Sequence, residues 1–203
     1  MRTMKAEESS ASSRIVAIAS STGGPKALQS LIPKLPANLN APVLIVQHMP
    51  AGFTEALAGR LNSLSEISVK EAEEGEVLLK GHVYLSKGGR HVNVRKVSGK
   101  QTIHYTDEPP REGVRPCANY MYESLTDSTY EEVICVVLTG MGSDGTEGIR
   151  NLKKNKKVTV IAQDEKTCVV YGMPRSVSVA GLADKEIPLT QIANEIIKNV
   201  GVI

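Results

Sequence analysis

A hydroxyl, an imidazole and a carboxylate each follow a short apolar run in this chain. In chain order, the segments after the three runs read SSTGG, QHMP and TGMGSDG. A nucleophilic serine, a histidine that takes its proton and a carboxylate that orients the histidine make up the machinery of serine acyl hydrolases. The residue types therefore point to acyl transfer through a covalent intermediate, with Ser21, His48 and Asp144 as the candidate catalytic residues.

Each of the three residues also has an ordinary structural explanation. A serine before glycines at a helix start is often a helix cap or part of a phosphate-binding loop. A histidine after a strand is often a structural hydrogen-bonding residue, and Asp144 could cap the helix that follows it. The hydrolase hypothesis therefore depends on the three side chains meeting at one place.

The elements around these segments alternate along the chain. Short β-branched apolar runs predict buried strands, and apolar residues at helical spacing predict helices. The predicted strands cover residues 14–19, 42–47, 133–138 and 158–162. The predicted helices cover residues 24–34, 53–64, 116–128 and 144–154, and further helix is expected near the C-terminus. This alternation predicts an α/β fold: a doubly wound, mostly parallel, Rossmann-like sheet with helices on both faces.

Such a sheet would gather the three polar segments at one edge. In open α/β sheets, ligands bind beyond the carboxyl ends of the strands. Each of the three segments comes directly after a predicted strand. We therefore expect the candidate site at that edge.

The segment between residues 67 and 105 has a different pattern. It contains the short alternating stretches HVYLS, HVNVRKV and KQTIHY, which glycine-containing turns separate. This pattern is typical of antiparallel hairpins. We expect an antiparallel hairpin appendage at one edge of the sheet, not a second domain.

Two serines precede the glycines, and only one of them can face His48. Successive side chains in a strand point to opposite faces, so Ser20 and Ser21 are expected to diverge. Ser21 lies nearer the turn at Gly23 and Gly24, where the backbone can bend sharply. Main-chain amides of these glycines could stabilise an oxyanion, an effect of about 3 kcal/mol for one donor. We therefore assign the nucleophile to Ser21 and expect Ser20 to pack or bond on the other side.

The composition fits a globular domain and excludes several classes of protein. The chain has 203 residues, of which 41% are hydrophobic, and its apolar runs fall far short of the roughly 20 residues that cross a bilayer. The chain has a net charge of only +2, a single Phe and no Trp. It therefore offers little positive charge to bind phosphates and few aromatic side chains on which bases could stack. We expect neither nucleic-acid binding nor membrane insertion.

Cysteine and histidine usage indicates neither a disulfide framework nor a metal site. The cysteines are Cys117, Cys135 and Cys168. They are odd in number and form no C-x-x-C pair, which favours a reducing cytoplasm. The histidines outside the QHMP segment are His82, His91 and His104. Because these histidines lack acidic or cysteine partners at ligand spacing, structural or surface roles are expected, and we predict no cofactor and no metal.

The N-terminus differs from the rest of the chain. Its first thirteen residues, MRTMKAEESSASS, are polar, and the apolar run after them is too short for a signal-peptide core. We interpret residues 1–13 as a polar linker remnant or tail, and residues 14–203 as the catalytic domain.

With these segments in place, the chain resembles the catalytic domain of the bacterial chemotaxis receptor methylesterases. These protein-glutamate methylesterases also deamidate receptor glutamines. The segments STGGP, QHMP and TGMGSDG carry the likeness, together with ISVKEAEEGEVLLKG and CVVYGMPR, and it extends from about Arg14 to the C-terminus. The resemblance implies Ser21 as nucleophile, His48 as general base and Asp144 as its orienting acid.

The resemblance also implies neighbours and partners of these residues. Thr22 and the Met141 backbone are implied as neighbours in the cleft, beside the Gly23 amide considered above. The implied substrate is the cytoplasmic helical region of methyl-accepting chemotaxis receptors, and the implied role is sensory adaptation in the cytoplasm. Family members commonly carry an N-terminal phosphorylatable receiver domain, whereas only the polar tail precedes the catalytic region here.

One departure from the family pattern lies beside the nucleophile. Members usually read GASTGG where this chain reads ASSTGG. The exchange leaves STGG unchanged, so the assignment to Ser21 stands.

Two other functions are compatible with the same segments. The glycine-rich stretches STGGPKAL and TGMGSDGTEG could cradle the phosphates of a nucleotide, although neither matches the P-loop pattern or G-x-G-x-x-G. A catalytically idle, partner-binding domain of the same fold is a third possibility, which the presence of Ser, His and Asp disfavours.

Overall fold

The computed structural model describes residues 12–203 and centres on a seven-stranded sheet in which every pair of neighbours is parallel. In chain order the strands are β1 (Arg14–Ser20), β2 (Val43–Gln47), β3 (Ser68–Glu71), β4 (His82–Leu85), β5 (His91–Val97), β6 (Lys100–Thr106), β7 (Glu132–Val137), β8 (Lys157–Gln163) and β9 (Lys185–Ile187). The order across the large sheet is β3-β4-β2-β1-β7-β8-β9, and β5 and β6 form a separate antiparallel pair. Most of the expected N-terminal tail, residues 1–11, lies outside the described residues.

Helices pack on both faces of the sheet. The α-helices are α1 (Gly24–Leu31), α2 (Thr54–Leu64), α3 (Ala118–Ser124), α4 (Thr146–Lys153), α5 (Met173–Val179) and α6 (Leu189–Val200). Helices α1, α2 and α6 share one apolar core with one face of the sheet, and α3, α4 and α5 share another core with the opposite face. The predicted doubly wound α/β fold is therefore confirmed.

Strand β1 lies in the middle of the sheet and explains why the apolar runs are continuous. Along it, Ile18 faces the core beneath α1, whereas Ala17 and Ala19 face the core beneath α3. Because both faces are covered, every residue from Ile15 to Ser20 is buried. Full burial of a Val or Ile side chain contributes about 1.5–3 kcal/mol, so these central strands hold the sheet edge in place.

The antiparallel hairpin formed by β5 and β6 packs against the core beneath α3. Its side chains Val92, Val94 and Ile103 share that core with Tyr84 of β4. Two strands of the predicted hairpin region instead belong to the large sheet: β3 pairs with β4, and β4 pairs with β2, in parallel.

The prediction of a hairpin strand at HVYLS was therefore wrong. The segment alternates in polarity, with His82 partly exposed between buried neighbours, but its register is set by β2, against which Val83 and Leu85 pack. Tertiary packing overrode the short-range pattern, because a four-residue alternation does not distinguish an antiparallel strand from a parallel one near a sheet edge.

Element boundaries differ from the sequence-based prediction mainly at helix ends. The predicted helix over residues 24–34 is an α-helix that ends at Leu31 and continues as a 3-10 turn, Ile32–Lys34. Pro33 explains the change, since proline lacks the N–H that an α-helix interior needs. Within residues 12–203, none of the helices is long and apolar enough to cross a membrane.

Candidate active site

The three candidate residues follow three adjacent strands of the sheet. Ser21 follows β1, His48 follows β2, and Asp144 lies in the loop after β7, which pairs with the other side of β1. The last residues paired between β1 and β2 are Ser20 and Gln47, so Ser21 and His48 are the next residue on each strand. The predicted gathering at the carboxyl edge is what the fold produces.

The main chain fixes the turn that carries Ser21. The Ser21 N–H donates to the Thr139 carbonyl at 3.0 Å, and the His48 N–H donates to the Ser20 carbonyl at 3.0 Å. A Cβ atom on Gly140 would lie 2.8 Å from the Ser21 Cβ. The loop after β7 therefore passes directly beside Ser21 and leaves no room for a side chain at residue 140.

Ser20 and Ser21 have different surroundings. Ser20 is completely buried, and its hydroxyl donates to Gln47 Oε1 at 2.6 Å. Ser21 is partly exposed, and among residues 12–203 its hydroxyl has no hydrogen-bond partner. The side chains diverge as expected, and only the Ser21 hydroxyl is available to a substrate.

His48 and Asp144 form a hydrogen-bonded pair. His48 Nε2 lies 2.7 Å from Asp144 Oδ2, and both side chains are almost fully buried. Because the carboxylate accepts, Nε2 carries the hydrogen and Nδ1 is the ring nitrogen that can take a proton from a nucleophile. The ring is thus turned relative to trypsin-like triads, in which Nδ1 faces the acid.

Asp144 receives hydrogen bonds from four directions. Besides His48, the Cys117 thiol donates to Oδ1 at 3.0 Å, the Ala118 N–H to Oδ2 at 2.6 Å and the Asn119 N–H to Oδ1 at 2.9 Å. Burial alone would raise the pKa of this carboxyl, but the bonds from His48, Cys117 and Ala118 lower it below its usual value. The carboxylate is therefore ionised at neutral pH and is held in a fixed orientation.

The hydrogen bonds of Asp144 also show whether it caps the helix that follows it in sequence. The N-cap of α4 is Gly145, which has no side chain to cap the helix, and the hydrogen bonds of the Asp144 carboxylate go to other groups. Asp144 instead accepts from the first two amides of α3, Ala118 and Asn119. It does act as a cap, but of a different helix from the one that follows it in sequence.

Asn119 fastens the Asp144 loop to α3. Its side-chain oxygen accepts from the Gly145 N–H at 3.0 Å and the Gly148 N–H at 2.7 Å, and its amide nitrogen donates to Glu112. Glu112 also accepts from the Ser143 hydroxyl at 2.7 Å. The loop between β7 and α4 is therefore held on both sides of Asp144.

Of the predicted cleft neighbours, Thr22 and Gly23 lie in the turn after Ser21, and Met141 lies in the loop after β7. Gly23 caps α1 with φ +82, a conformation that favours glycine, and the Val169 side chain lies against it. Thr22 is exposed, and its carbonyl accepts from the Thr139 hydroxyl at 2.9 Å. Met141 is 74% exposed.

One expected oxyanion donor is engaged elsewhere. The Gly24 N–H donates to the Ser21 carbonyl at 2.8 Å, so it does not point towards a substrate. This contact closes the tight turn from strand to helix, a constraint that residue types alone do not reveal. Of the two glycine amides considered from the sequence, only that of Gly23 remains a candidate.

The remaining histidines and cysteines have structural surroundings. His91 is buried between two main-chain groups, the Cys117 N–H and the Pro109 carbonyl, and His104 pairs with Glu74. All three cysteines are free thiols, and burial, followed by the Asp144 charge, raises the pKa of Cys117 to about 12. In the part of the chain that the structure describes, no three His, Cys, Asp or Glu side chains form a group that could hold a metal ion.

Sequence reasoning missed Cys117, Asn119 and Gln47. The first two lie at the start of a helix remote in sequence from Asp144, and only the packing of α3 beside the β7 edge brings them to it. Gln47 stands in the QHMP segment, where a buried polar residue at the last position of an apolar strand was a usable signal.

Comparison with known proteins gives matches over most of the chain. A family profile described as CheB methylesterase matches residues 16–196. The chain is 47% identical over 187 residues to the protein-glutamate methylesterase/protein-glutamine glutaminase of Geobacillus kaustophilus, covering 92% of this chain and 54% of that protein. It is 50% identical over 170 residues to the Bacillus subtilis protein of the same name, covering 83% of this chain and 47% of that protein. The chain thus spans about half the length of the curated relatives it matches.

A solved structure matches the fold. The crystal structure of the Thermotoga maritima CheB methylesterase catalytic domain superimposes with a TM-score of 0.88 at 44% sequence identity. The match covers 92% of this chain and 98% of that one.

Proposed function

Since this chain belongs to the CheB methylesterase family, we propose that it hydrolyses glutamate methyl esters with Ser21, His48 and Asp144 as a catalytic triad. The proposed substrates are methyl-accepting chemotaxis receptors, and the products are methanol and a receptor glutamate. The observation that carries the proposal is the 2.7 Å hydrogen bond between His48 and Asp144 beside the turn that holds the partly exposed Ser21.

The first half of the proposed reaction acylates the serine. Ser21 Oγ attacks the ester carbonyl carbon as His48 Nδ1 takes the hydroxyl proton, and Asp144 stabilises the imidazolium through Nε2. Main-chain amides of Gly23 and Met141 are the proposed donors to the oxyanion, beside Thr22. Collapse of the tetrahedral intermediate breaks the bond to the methoxy group, which leaves as methanol with the proton from His48.

The second half releases the product. His48 Nδ1 takes a proton from water, whose oxygen attacks the acyl carbon, and the bond to Ser21 Oγ breaks as the proton returns to the serine. A glutamate carboxylate remains on the receptor. Deamidation of a receptor glutamine follows the same steps with ammonia as the leaving group.

The proposed setting of the reaction follows from the same family. The substrate segment is the cytoplasmic helical region of the receptors, so the enzyme acts in the cytoplasm during sensory adaptation. Because the relatives are about twice as long as the matched region, we propose that an N-terminal receiver domain accompanies this domain in the full-length protein. Binding of nucleic acid and insertion into the membrane have no part in the proposal.

The alternative of a nucleotide-binding module has less support from the geometry. Phosphate loops direct several free main-chain amides at the ligand, whereas the Gly24 amide bonds to Ser21 and the Val169 side chain lies against Gly23. Calorimetric titration with ATP and GTP is expected to give no heat of binding, and tight binding without esterase activity would favour the alternative.

Labelling of the nucleophile tests the proposed triad. A fluorophosphonate probe, which reacts with activated serines, is expected to modify Ser21, and peptide mapping locates the adduct. The His48→Ala variant is the control and should label far more slowly, because the general base that activates the hydroxyl is gone. An adduct on Ser20 or on another serine would contradict the assignment.

A further inference from the structure

The Gln47 side chain joins the two strand ends that carry Ser21 and His48. Gln47 is the last residue of β2 and is 1% exposed. Its Nε2 donates to the Ser21 carbonyl at 3.0 Å and to the His48 carbonyl at 3.2 Å. Its Oε1 accepts the Ser20 hydroxyl at 2.6 Å. Both hydrogens of the amide nitrogen are therefore committed to main-chain groups of the proposed nucleophile and base.

The hydrogen bonds from the Gln47 amide to the Ser21 and His48 carbonyls form a bridge between the two strand ends, and this bridge begins where the strand pairing stops. The β1–β2 register ends at the pair Ser20 and Gln47, and the Gln47 amide extends the linkage by one residue on each strand. Beyond that point, the side chain takes over the role that ladder hydrogen bonds have within the sheet.

The glycine after the turn is shaped around the same amide. A Cβ atom on Gly24 would overlap Gln47 Oε1 and would lie 2.9 Å from the Ser20 Cβ. The second glycine of STGG is therefore needed to admit the Gln47 side chain, since Gly24 lies within α1 and is not among the glycines with positive φ. The STGG segment and the Gln47 side chain are therefore closely packed against each other.

We propose that Gln47 is a positioning residue that sets the separation of Ser21 and His48 for proton transfer. The proposal rests on the proposed triad. Proton transfer needs heavy atoms within about 2.6–3.2 Å, and a misplacement of about 1 Å costs on the order of 10²-fold in rate. Gln47 is buried and its polar side-chain atoms bond to Ser20, Ser21 and His48, so its effect is exerted through Ser21 and His48.

Two substitutions remove the bridge in different ways. Gln47→Glu keeps the shape but loses both N–H donors, and Gln47→Met keeps the length without polar atoms. The matched control is Gln101→Glu, because Gln101 is also a buried strand glutamine. Gln101 lies in β6 and donates to the Thr129 hydroxyl, away from the strand ends that carry Ser21 and His48. The assay is methanol release from methylated chemoreceptor membranes, with the unfolding midpoint and the rate of fluorophosphonate labelling measured on each variant.

The expected result separates positioning from stability. Both Gln47 variants should lower kcat by about 10²-fold with KM within about twofold of the unmodified chain, and labelling of Ser21 should slow in proportion. Gln101→Glu should keep both kinetic constants even if its unfolding midpoint falls. Normal kcat in folded Gln47 variants, or a rise in KM with kcat unchanged, would overturn the proposal.

Ser20 supplies a second test, because Ser20→Ala can be assayed on its own if a Gln47 variant folds poorly. If Ser20 acts by anchoring Gln47, Ser20→Ala should lower kcat several-fold, and it should have no further effect in the Gln47→Met background. Independent, additive effects would contradict the proposal. Absence of methanol release by the unmodified chain, or release by Ser21→Ala at the rate of the unmodified chain, would instead refute the proposed function. Either result is distinguishable from both outcomes above.

Discussion

At the scale of single residues, Asp144 links the proposed catalysis to the structure of the loop that carries it. Its carboxylate orients His48 and at the same time accepts two main-chain amides of α3 and the Cys117 thiol. Several donors on one carboxylate hold it ionised in a buried position, where an unpaired charge would be strongly unfavourable. The proposed orienting acid therefore has both its charge and its direction fixed before substrate binds.

Replacement of this acid by its amide should disable the proposed catalysis. In Asp144→Asn the side-chain NH₂ can no longer accept from His48, so the histidine tautomer that leaves Nδ1 free is not favoured. We expect kcat for methanol release to fall by about 10³–10⁴-fold at neutral pH, by comparison with the amide variant of a serine protease triad. A rate within about tenfold of the unmodified chain would mean that Asp144 is only a cap.

The residues of the site were predictable to the extent that they stand next to strands in the sequence. Ser21, His48 and Asp144 could be placed at one edge because parallel strands end together. The His48–Asp144 pairing and the role of Gln47 depend on side-chain directions and on the approach of Cys117 and Asn119 from α3. These contacts join residues about 25 to 96 positions apart, which no local pattern encodes.

At the scale of elements, the start of α3 depends on a residue from another loop. Helix α3 has no side-chain cap of its own at Cys117, and Asp144 accepts its first two amides instead. Caps of this kind contribute about 0.5–2 kcal/mol, and the negative charge at a helix N-terminus adds to this. Formation of α3 and closure of the Asp144 loop are therefore coupled.

The stability contributed by this cap should depend on pH. Because the pKa of Asp144 is lowered in the folded state, its stabilisation is fully present above the ordinary carboxyl pKa of about 4 and is lost as pH falls through the lower folded value. The difference in unfolding free energy between the unmodified chain and Asp144→Asn should thus be about 1–3 kcal/mol at pH 7 and should shrink below pH ~4. Urea unfolding at both pH values measures it.

A surface substitution provides the control for this experiment. Asp127 is exposed and lies at the end of a 3-10 turn, so Asp127→Asn should change the unfolding free energy by less than about 0.5 kcal/mol at pH 7. If the difference in unfolding free energy between the unmodified chain and Asp144→Asn grew as the pH fell, the proposed role of ionised Asp144 as a cap would be contradicted.

The close packing of α3 against α4 predicts that a larger side chain between these helices destabilises the chain. A Cβ atom on Gly148 would lie 2.7 Å from the Asn119 backbone, so Gly148→Ala should force the two helices apart and cost about 1–3 kcal/mol. Gly59→Ala is the matched control, because nothing lies within 4 Å of that position in α2, and it should stabilise the chain by about 0.5–1 kcal/mol. Equal effects of the two substitutions in urea unfolding would refute this packing argument.

Elements were easiest to predict where burial is uniform. The strands β1, β2 and β7 are covered on both faces, so their apolar runs are continuous and were recognisable. Strand β4 was assigned to a hairpin because its neighbours in sequence alternate, while its parallel pairing with β2 follows from the long connection through α2 and β3. Such pairing depends on topology, and short-range patterns do not specify it.

At the scale of the whole molecule, the chain has the fold and the family of a CheB methylesterase domain. The family resemblance seen in a few short segments is confirmed by matches that cover almost the entire chain. The proposed domain boundary lies near the last residues of the polar tail. Ser13 contacts the domain through its carbonyl, which accepts from the N–H groups of Glu131 and Glu132.

Truncation should locate this boundary. Removal of residues 1–11 is expected to leave the unfolding midpoint and the esterase rate unchanged, since the sequence of this predicted tail is polar. Removal of residues 1–13 also deletes the contacts of Ser12 with Asn40 and of Ser13 with β7, and it should lower the unfolding free energy by about 1 kcal/mol. A large loss of stability with the shorter deletion would place the boundary nearer the N-terminus.

The central claim is that Ser21 is the nucleophile of a protein-glutamate methylesterase. Its most direct test is methanol release from methylated chemoreceptor membranes by the unmodified chain, Ser21→Ala and Ser20→Ala, measured side by side. We predict release by the unmodified chain, a loss of about 10³-fold or more in Ser21→Ala, and only a several-fold reduction in Ser20→Ala. Undiminished release by folded Ser21→Ala, or loss confined to Ser20→Ala, would contradict the claim.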